Sequence, residues 1–298
     1  MNKRKQTITA IAAAFGMAIM ILDSKTVMQY AYEGIDLCIR TVIPSLFPFL
    51  AISNVITANI SANRKKEANL LERYLGLPTG TQYLVTLGLL GGYPSGAQNI
   101  YQAYKRGYLG KQEAERLLPV CNNAGPAFAL GFVGLGLLGS LRAGVWLYLL
   151  HALSALLIAL LFRPRQPFSA PAQSRTLSPS FSQELVEAIT SAGSAMVQVC
   201  AFITFFYTAL HLLTQRTGIA HPLALGFVEL TCGLTRLTPT RAGFVMAAGL
   251  LGWGGLSVHA QTAAALSGTG VSLRNHLRGK FLQGIFSAIL AIFAWFLL

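Results

Sequence analysis

Glu229 is the first residue in this sequence with chemistry to offer, because it stands inside an apolar run, GFVELTCGL, at 226–234. An ionisable group at membrane depth costs about 2.5–3.5 kcal/mol on insertion scales, so it marks a functional site by default. Its carboxyl could hydrogen-bond a solute or carry a coupling proton; the alternative is a short segment ending at the interface. Three more polar groups sit among apolar residues. Asn122 and Asn123 open CNNAGP, at 121–126, with amides that can donate and accept across a cavity or cap the helix that follows Pro119. Ser257, His259 and Gln261 share GGLSVHAQ, at 254–261, where the histidine is as well read as a packing residue as a ligand contact. Pro94, Ser95, Gly96 and Gln98 share GGYPSGAQ, at 91–98.

None of these residues makes a nucleophile–base pair. Cys38, Cys121, Cys200 and Cys232 stand singly in apolar segments, and the five histidines show no HExxH-like pairing. There is no phosphate-binding loop of the GxxxxGK[ST] kind, so any ATP would come from another chain. The sequence therefore predicts no enzyme, no metal site and no cofactor.

The elements that must position these groups are membrane helices. Of 298 residues, 53% are hydrophobic and 11% charged, whereas a soluble domain carries about 25% charged residues. A mean hydropathy of +0.54 agrees. The net charge of +13 is gathered in short clusters between apolar segments: Lys3 to Lys5, Arg64 to Lys66, Lys105 with Arg106, Arg163 with Arg165, and Arg274, Arg278 and Lys280. That is the positive-inside pattern of a multispan protein in a lipid bilayer. No nucleic-acid-reading module accompanies the charge, so nucleic acid is not expected as a partner.

Along the chain, 7–22 reads as a retained anchor rather than a cleaved signal, since no convincing small-residue cleavage site precedes DSKT. Residues 35–60 carry Arg40, Pro44 and Pro48 and predict a kinked or broken span. Residues 62–78 predict an interfacial helix and 110–118 a short charged one on the cytoplasmic side with Lys105, Arg106, Lys111 and Arg116. Membrane segments follow at 119–138, 143–162, 185–213, 222–234 and the C-terminus, with a Pro/Ser linker at 163–182. The fold expected is an all-α polytopic protein of about eight embedded segments. Its organisation reads as an anchor over 1–34, a first repeat over 35–162, a linker over 163–184 and a second repeat over 185–298. Charge leaves the topology of the second half open.

Two segments break their own backbone where a helix should be mid-span: GLLGGYPSGAQ at 88–98 and GLLGWGGLSVHAQ at 249–261. Gly96-Ala97-Gln98 aligns with His259-Ala260-Gln261 at an offset of 163 residues, and Gly107 with Gly270 at the same offset. Paired interruptions of this kind point to the binding site of a transporter with inverted repeats. Close helix packing through small residues is the other use of such glycines, notably Gly88, Gly91 and Gly249. A helix restarting at Pro94-Ser95 exposes free N–H groups, and Ser257 is placed to cap its counterpart. Two such N-termini facing one another would attract a carboxylate without a buried lysine. The residues expected to line the path are Pro94, Ser95, Gly96, Gln98, Asn122, Asn123, Glu229, Ser257, His259 and Gln261.

The strings GGYPSGAQ, GYLGKQEAERLLPVCNNAGPAF and GGLSVHAQ resemble the YlbJ-type sporulation integral membrane proteins of the nucleoside-recognition (Gate) domain group, over roughly 35–298. The resemblance implies a bacterial, multi-pass protein, of the cell or forespore membrane, with re-entrant hairpins. It also implies a carrier of a small anionic or heteroaromatic solute, dipicolinate or, alternatively, a nucleoside or nucleobase, coupled to H+ or Na+. A homo-oligomer, or a scaffold in a sporulation complex that transports nothing, is compatible with it too. The family's first motif often reads GYPSGAK, so Gln98 stands where relatives place a cation.

Overall fold

The computed structural model describes residues 3–61, 70–163 and 181–297, and every regular element among them is helical. The basic cluster at 64–66, the first half of the expected interfacial helix and the Pro/Ser linker over 164–180 lie outside the described residues.

α1 (Lys3–Leu22) and α2 (Ser24–Leu37) meet at Asp23, and α2 runs through a π-helical turn at Cys38–Val42 into α3 (Ile43–Ser61). The boundary expected at 34/35 falls inside α2. A π turn shifts the hydrogen-bond ladder and Pro48 removes a donor from it. The chain accordingly bends by 55° between Ser24–Val42 and Leu46–Ile56, which is the kink expected over 35–60.

The short α4 (Leu70–Leu75) precedes α5 (Gln82–Gly91), α6 (Ser95–Lys105) and α7 (Lys111–Cys121). After a loop over 122–126 come a π-helical stretch, Ala127–Leu137, and α8 (Leu141–Leu161). The second half contains α9 (Phe181–Thr217), α10 (Pro222–Val228), α11 (Leu230–Leu234), α12 (Arg241–Trp253), α13 (Gly255–Ala265) and α14 (Arg274–Ala294). Both 88–98 and 249–261 are interrupted, as expected. The 163-residue offset also recurs in the turns that follow: Gly107 and Gly270 are both left-handed, and α7 and α14 start at 111 and 274.

Among the described residues, four helices are long and apolar enough to cross a bilayer: α8, α9, α12 with α13, and α14. The bent α2–α3 pair makes a fifth. Gln82–Gly91 and Ala127–Leu137 are apolar but too short to span alone. Lipid-facing surfaces are evident from the side chains left outside: on α9, Val197 is 72% exposed while Val199 is 3%. Phe15 on α1, Phe205 on α9 and Phe281 and Ile289 on α14 are likewise outward, a surface that water would not tolerate over this extent.

Inside, one apolar cluster joins α8, α12 and the π-helical stretch through Leu147, Phe244 and Leu251. A second joins α5, α6 and α7 through Leu84, Ile100 and Leu117. A third, smaller one lies between α2–α3 and α9, with Cys38, Val42, Val199 and Ile203.

Arg116, expected among the cytoplasmic charges, is held inside the protein. It is only 6% exposed, and its Nε and Nη2 donate to the carbonyls of Phe162 and Leu75 at 2.6 and 2.9 Å, at the C-terminal ends of α8 and α4. Burial, with Arg163 nearby, lowers its pKa to about 10, so it is still a cation at neutral pH. Charged hydrogen bonds are worth about 1.5–3 kcal/mol each. Arg116→Met is expected to destabilise the protein by about 2 kcal/mol, read as a lower midpoint of thermal unfolding in detergent.

Candidate functional site

Each helix break leaves backbone groups that something must satisfy. α5 stops at Gly91, Gly92 takes a φ of +76°, the Tyr93–Pro94 peptide is cis, and α6 restarts at Ser95. Ser95 Oγ donates back to Gly92 O at 2.6 Å. α12 stops where Gly254 and Gly255 take φ values of +87° and +80°, a region that favours glycine. This interruption takes the Leu251 carbonyl out of the helical ladder, and Tyr93 Oη donates to it at 2.7 Å. One aromatic residue of the first break thus satisfies a carbonyl of the second.

A third break was not expected. Residues 222–234 are two short helices rather than one segment, with Glu229 extended between them. Its Oε2 accepts the Cys232 N–H at 2.7 Å and so caps α11, while Ser257 Oγ donates to Oε1 at 3.5 Å. Ser257 is therefore not the cap of α13. Gly254 holds that position, and the serine, one turn further in, faces the carboxylate.

The loop over 122–126 sits where the breaks meet. Asn122 Oδ1 accepts from Ala97 N at 3.3 Å, and its Nδ2 donates to Thr262 Oγ1 at 2.9 Å, so one side chain joins α6 to α13. Asn123 Oδ1 accepts from Lys280 Nζ at 3.1 Å and Gln283 Nε2 at 3.0 Å, and Ala124 N donates to His151 Nε2 at 3.1 Å.

Beside this junction lies a cavity of about 40 Å³, room for two or three waters. Its polar wall is Tyr93, Glu229, Thr231 and Gln261, and its aromatic and glycine floor is Phe128 and Gly125. Val42 and Leu46, at the bend between α2 and α3, and Val199 and Ile203 of α9 complete its lining.

No protein-family model matches the chain, and no solved structure matches it. Along nearly its whole length it is similar to the sporulation integral membrane protein YlbJ of Bacillus subtilis (strain 168), at 23% identity over 346 aligned positions that cover 99% of this chain and 84% of that protein. The chain is a distant relative of YlbJ. Its helices and their apolar outer faces make it a multi-pass integral membrane protein. The strings that carry the YlbJ-type resemblance, GGYPSGAQ, CNNAGP and GGLSVHAQ, are the ones that build the junction.

Of the residues expected on the path, Glu229 and Gln261 line the cavity, with Ser257 behind Glu229. Asn122 and Asn123 do not line it: both are fully buried and their amides are taken up by protein partners. Gly96 packs against the end of α7, where an added Cβ would fall on the Cys121 carbonyl oxygen. Pro94 and Ser95 form the turn itself. Gln98, half-buried on α6, and His259, bonded through Nδ1 to His276 Nε2 at 3.2 Å and edge-on to Trp253, lie off the cavity wall. The field expected from two opposed helix N-termini is likewise not free. Asn122 meets the α6 end, and from α13 the Ser257 hydroxyl reaches the Glu229 carboxyl group.

Sequence reasoning missed Tyr93 and Thr231 on the wall, and it placed Lys280 among loop charges. Lys280 is fully buried in α14, and His276, Lys280, Gln283 and Ser287 are all at 0% exposure. Their spacing of four, three and four puts them on one helix face. That stripe was the available signal.

Proposed function

We propose that the chain is a permease for a small anionic or heteroaromatic solute, with dipicolinate in the forespore membrane of a sporulating cell as the first solute to test. The observation that carries this reading is the convergence of three helix breaks and the 122–126 loop on one cavity that holds a buried carboxyl group. Irregular backbone within a membrane protein persists where it is buried in protein or lines a cavity. Here the same residues do both. Tyr93 and Phe128 offer ring faces, and Glu229, Thr231 and Gln261 offer hydrogen bonds at the edge of a planar solute.

The cavity is smaller than the roughly 300 Å³ of the smallest common ligand pockets, so a ring-sized solute enters only if a wall moves. The wall made by α2–α3 and α9 is the one that moves. Val42, Val199 and Ile203 belong to the small cluster between α2–α3 and α9, and the opening proposed is a joint shift of those helices that breaks the Asn99–Ser53 bond from α6 to α3. Glu229 then sets the charge rule. As a carboxylate it repels an anionic solute, and a proton taken up with the solute removes the repulsion, which makes H+ the coupling ion of choice over Na+.

Proteoliposomes with labelled dipicolinate, and uridine as competitor, test the reading. Saturable uptake that unlabelled dipicolinate abolishes and uridine leaves unchanged is the expected result. Uptake of labelled uridine instead would favour a nucleoside or nucleobase carrier. Movement of neither, with Glu229→Gln and Ser257→Ala behaving as wild type in sporulating cells, would make the chain a scaffold.

A further inference from the structure

Among the described residues, Lys280 is a buried amine with no acid beside it, in a setting that disfavours its charged form until an anion is near. Its side chain is fully buried, and its Nζ donates to Asn123 Oδ1 at 3.1 Å and Gln283 Oε1 at 2.7 Å, both neutral amide oxygens. The third direction is filled by the ring of Tyr93, with Nζ 5.4 Å from its centroid. The ion pairs among the described residues, Arg40 with Asp36 and Arg216 with Asp23, leave it out. Glu229, the acid on the cavity wall, bonds to Cys232 and Ser257 instead. The titratable neighbours are histidines: His151 is reached through Gln283 and accepts a backbone N–H, and His259 and His276 are bonded to each other. Amide oxygens and a π face solvate an ammonium group, but they do not neutralise it. A buried cation held this way is stabilised when an anion arrives.

The anion's route is set by Tyr93. Tyr93 both lies against Lys280 and lines the cavity, so one side chain links the amine to the solute space. We infer that Lys280 is the cationic subsite of the solute cavity, reached past the Tyr93 ring, and that the solute it takes carries at least one carboxylate. This rests on the permease reading and narrows it: Glu229 is the acid that lines the cavity, and the hidden lysine behind Tyr93 would answer for the solute's negative charge.

The test is equilibrium binding to the purified full chain, using pyridine-2,6-dicarboxylate and its uncharged diamide as probes. Wild type is expected to bind the dicarboxylate more tightly than the diamide. Lys280→Met is expected to weaken the dicarboxylate by at least about tenfold, the worth of one charged hydrogen bond, and to leave the diamide unchanged. Asn123→Asp is the second variant, since it keeps the lysine and the volume but places a carboxylate on Nζ; it should produce the same selective loss. If wild type binds the dicarboxylate and a folded variant of either kind binds it within twofold, the inference is wrong and the permease reading stands. Equal loss of dicarboxylate and diamide would reduce Lys280 to a packing role and also overturn it. Failure of wild type to bind either probe would remove the anion-permease reading itself.

Discussion

Gly96→Val is expected to abolish accumulation of folded protein, and Gly96→Ala to lower its stability by about 3 kcal/mol, the upper end of ordinary overpacking costs. Such a loss is large against a total of roughly 5–15 kcal/mol. The reason is that a Cβ at Gly96 would fall on the Cys121 carbonyl oxygen and within 2.7 Å of Asn122 Cα. Both are backbone atoms, so no side-chain rotation relieves the overlap. Gly88 presses on the same carbonyl from α5, and the two glycines together let α5 and α6 close onto the end of α7. Forcing them apart moves the loop that begins at Asn122. The bonds from Asn122 to Ala97 and Thr262 and from Asn123 to Lys280 would go with it. Gly193→Ala is the control: it lies within α9 with nothing within 4 Å of the added carbon. It should be neutral or stabilising by up to about 1 kcal/mol, because alanine favours a helix over glycine. Size-exclusion profiles and thermal unfolding in detergent separate the three variants.

The contrast between Gly96 and Glu229 shows what the sequence made legible. Helix breakers announce themselves locally, because a left-handed φ or a missing donor is a property of one or two residues; 88–98 and 249–261 could be read as interrupted from their glycines and Pro94 alone. The role of each residue around a break depends on what the rest of the chain brings up to it. Asn122 and Asn123 carry amides suited to a solute, and equally suited to Ala97, Thr262 and Lys280, which lie up to 157 residues away along the chain. Only packing decides between those uses. Glu229 lay between the two cases. Its apolar setting marked it as a functional candidate, but the break it occupies gave no glycine or proline signal, since its carboxylate supplies the missing cap from within. Lys280 was hidden by its company: Arg274 and Arg278, both exposed, stand six and two residues before it, and the cluster read as loop charge. The period of the polar residues after it, rather than the charge before it, carried the information.

Glu229→Gln is expected to abolish proton-driven accumulation while sparing exchange. If one proton travels with each solute, an inward gradient of about two pH units can drive about 100-fold accumulation, each unit being worth about 1.4 kcal/mol. A glutamine cannot take up that proton, so net accumulation should fall to the level of equilibration. It does present an amide oxygen where Oε2 accepts the Cys232 N–H, so the cap on α11 survives and the cavity keeps its shape. Counterflow, in which labelled solute outside exchanges for unlabelled solute inside with no pH gradient, should therefore remain within a few-fold of wild type, because a permanently neutral group imitates the loaded state at every step. The pairing of the two assays is what makes the variant informative. Accumulation that still follows the pH gradient would assign coupling elsewhere, and loss of counterflow as well would make Glu229 a structural cap whose hydrogen bond to Ser257 matters more than its proton. Ser257→Ala bears on the same choice, since it removes the donor to Oε1 and leaves the carboxyl group in place; under proton coupling it should shift the pH at which uptake is half-maximal and leave the extent of accumulation intact.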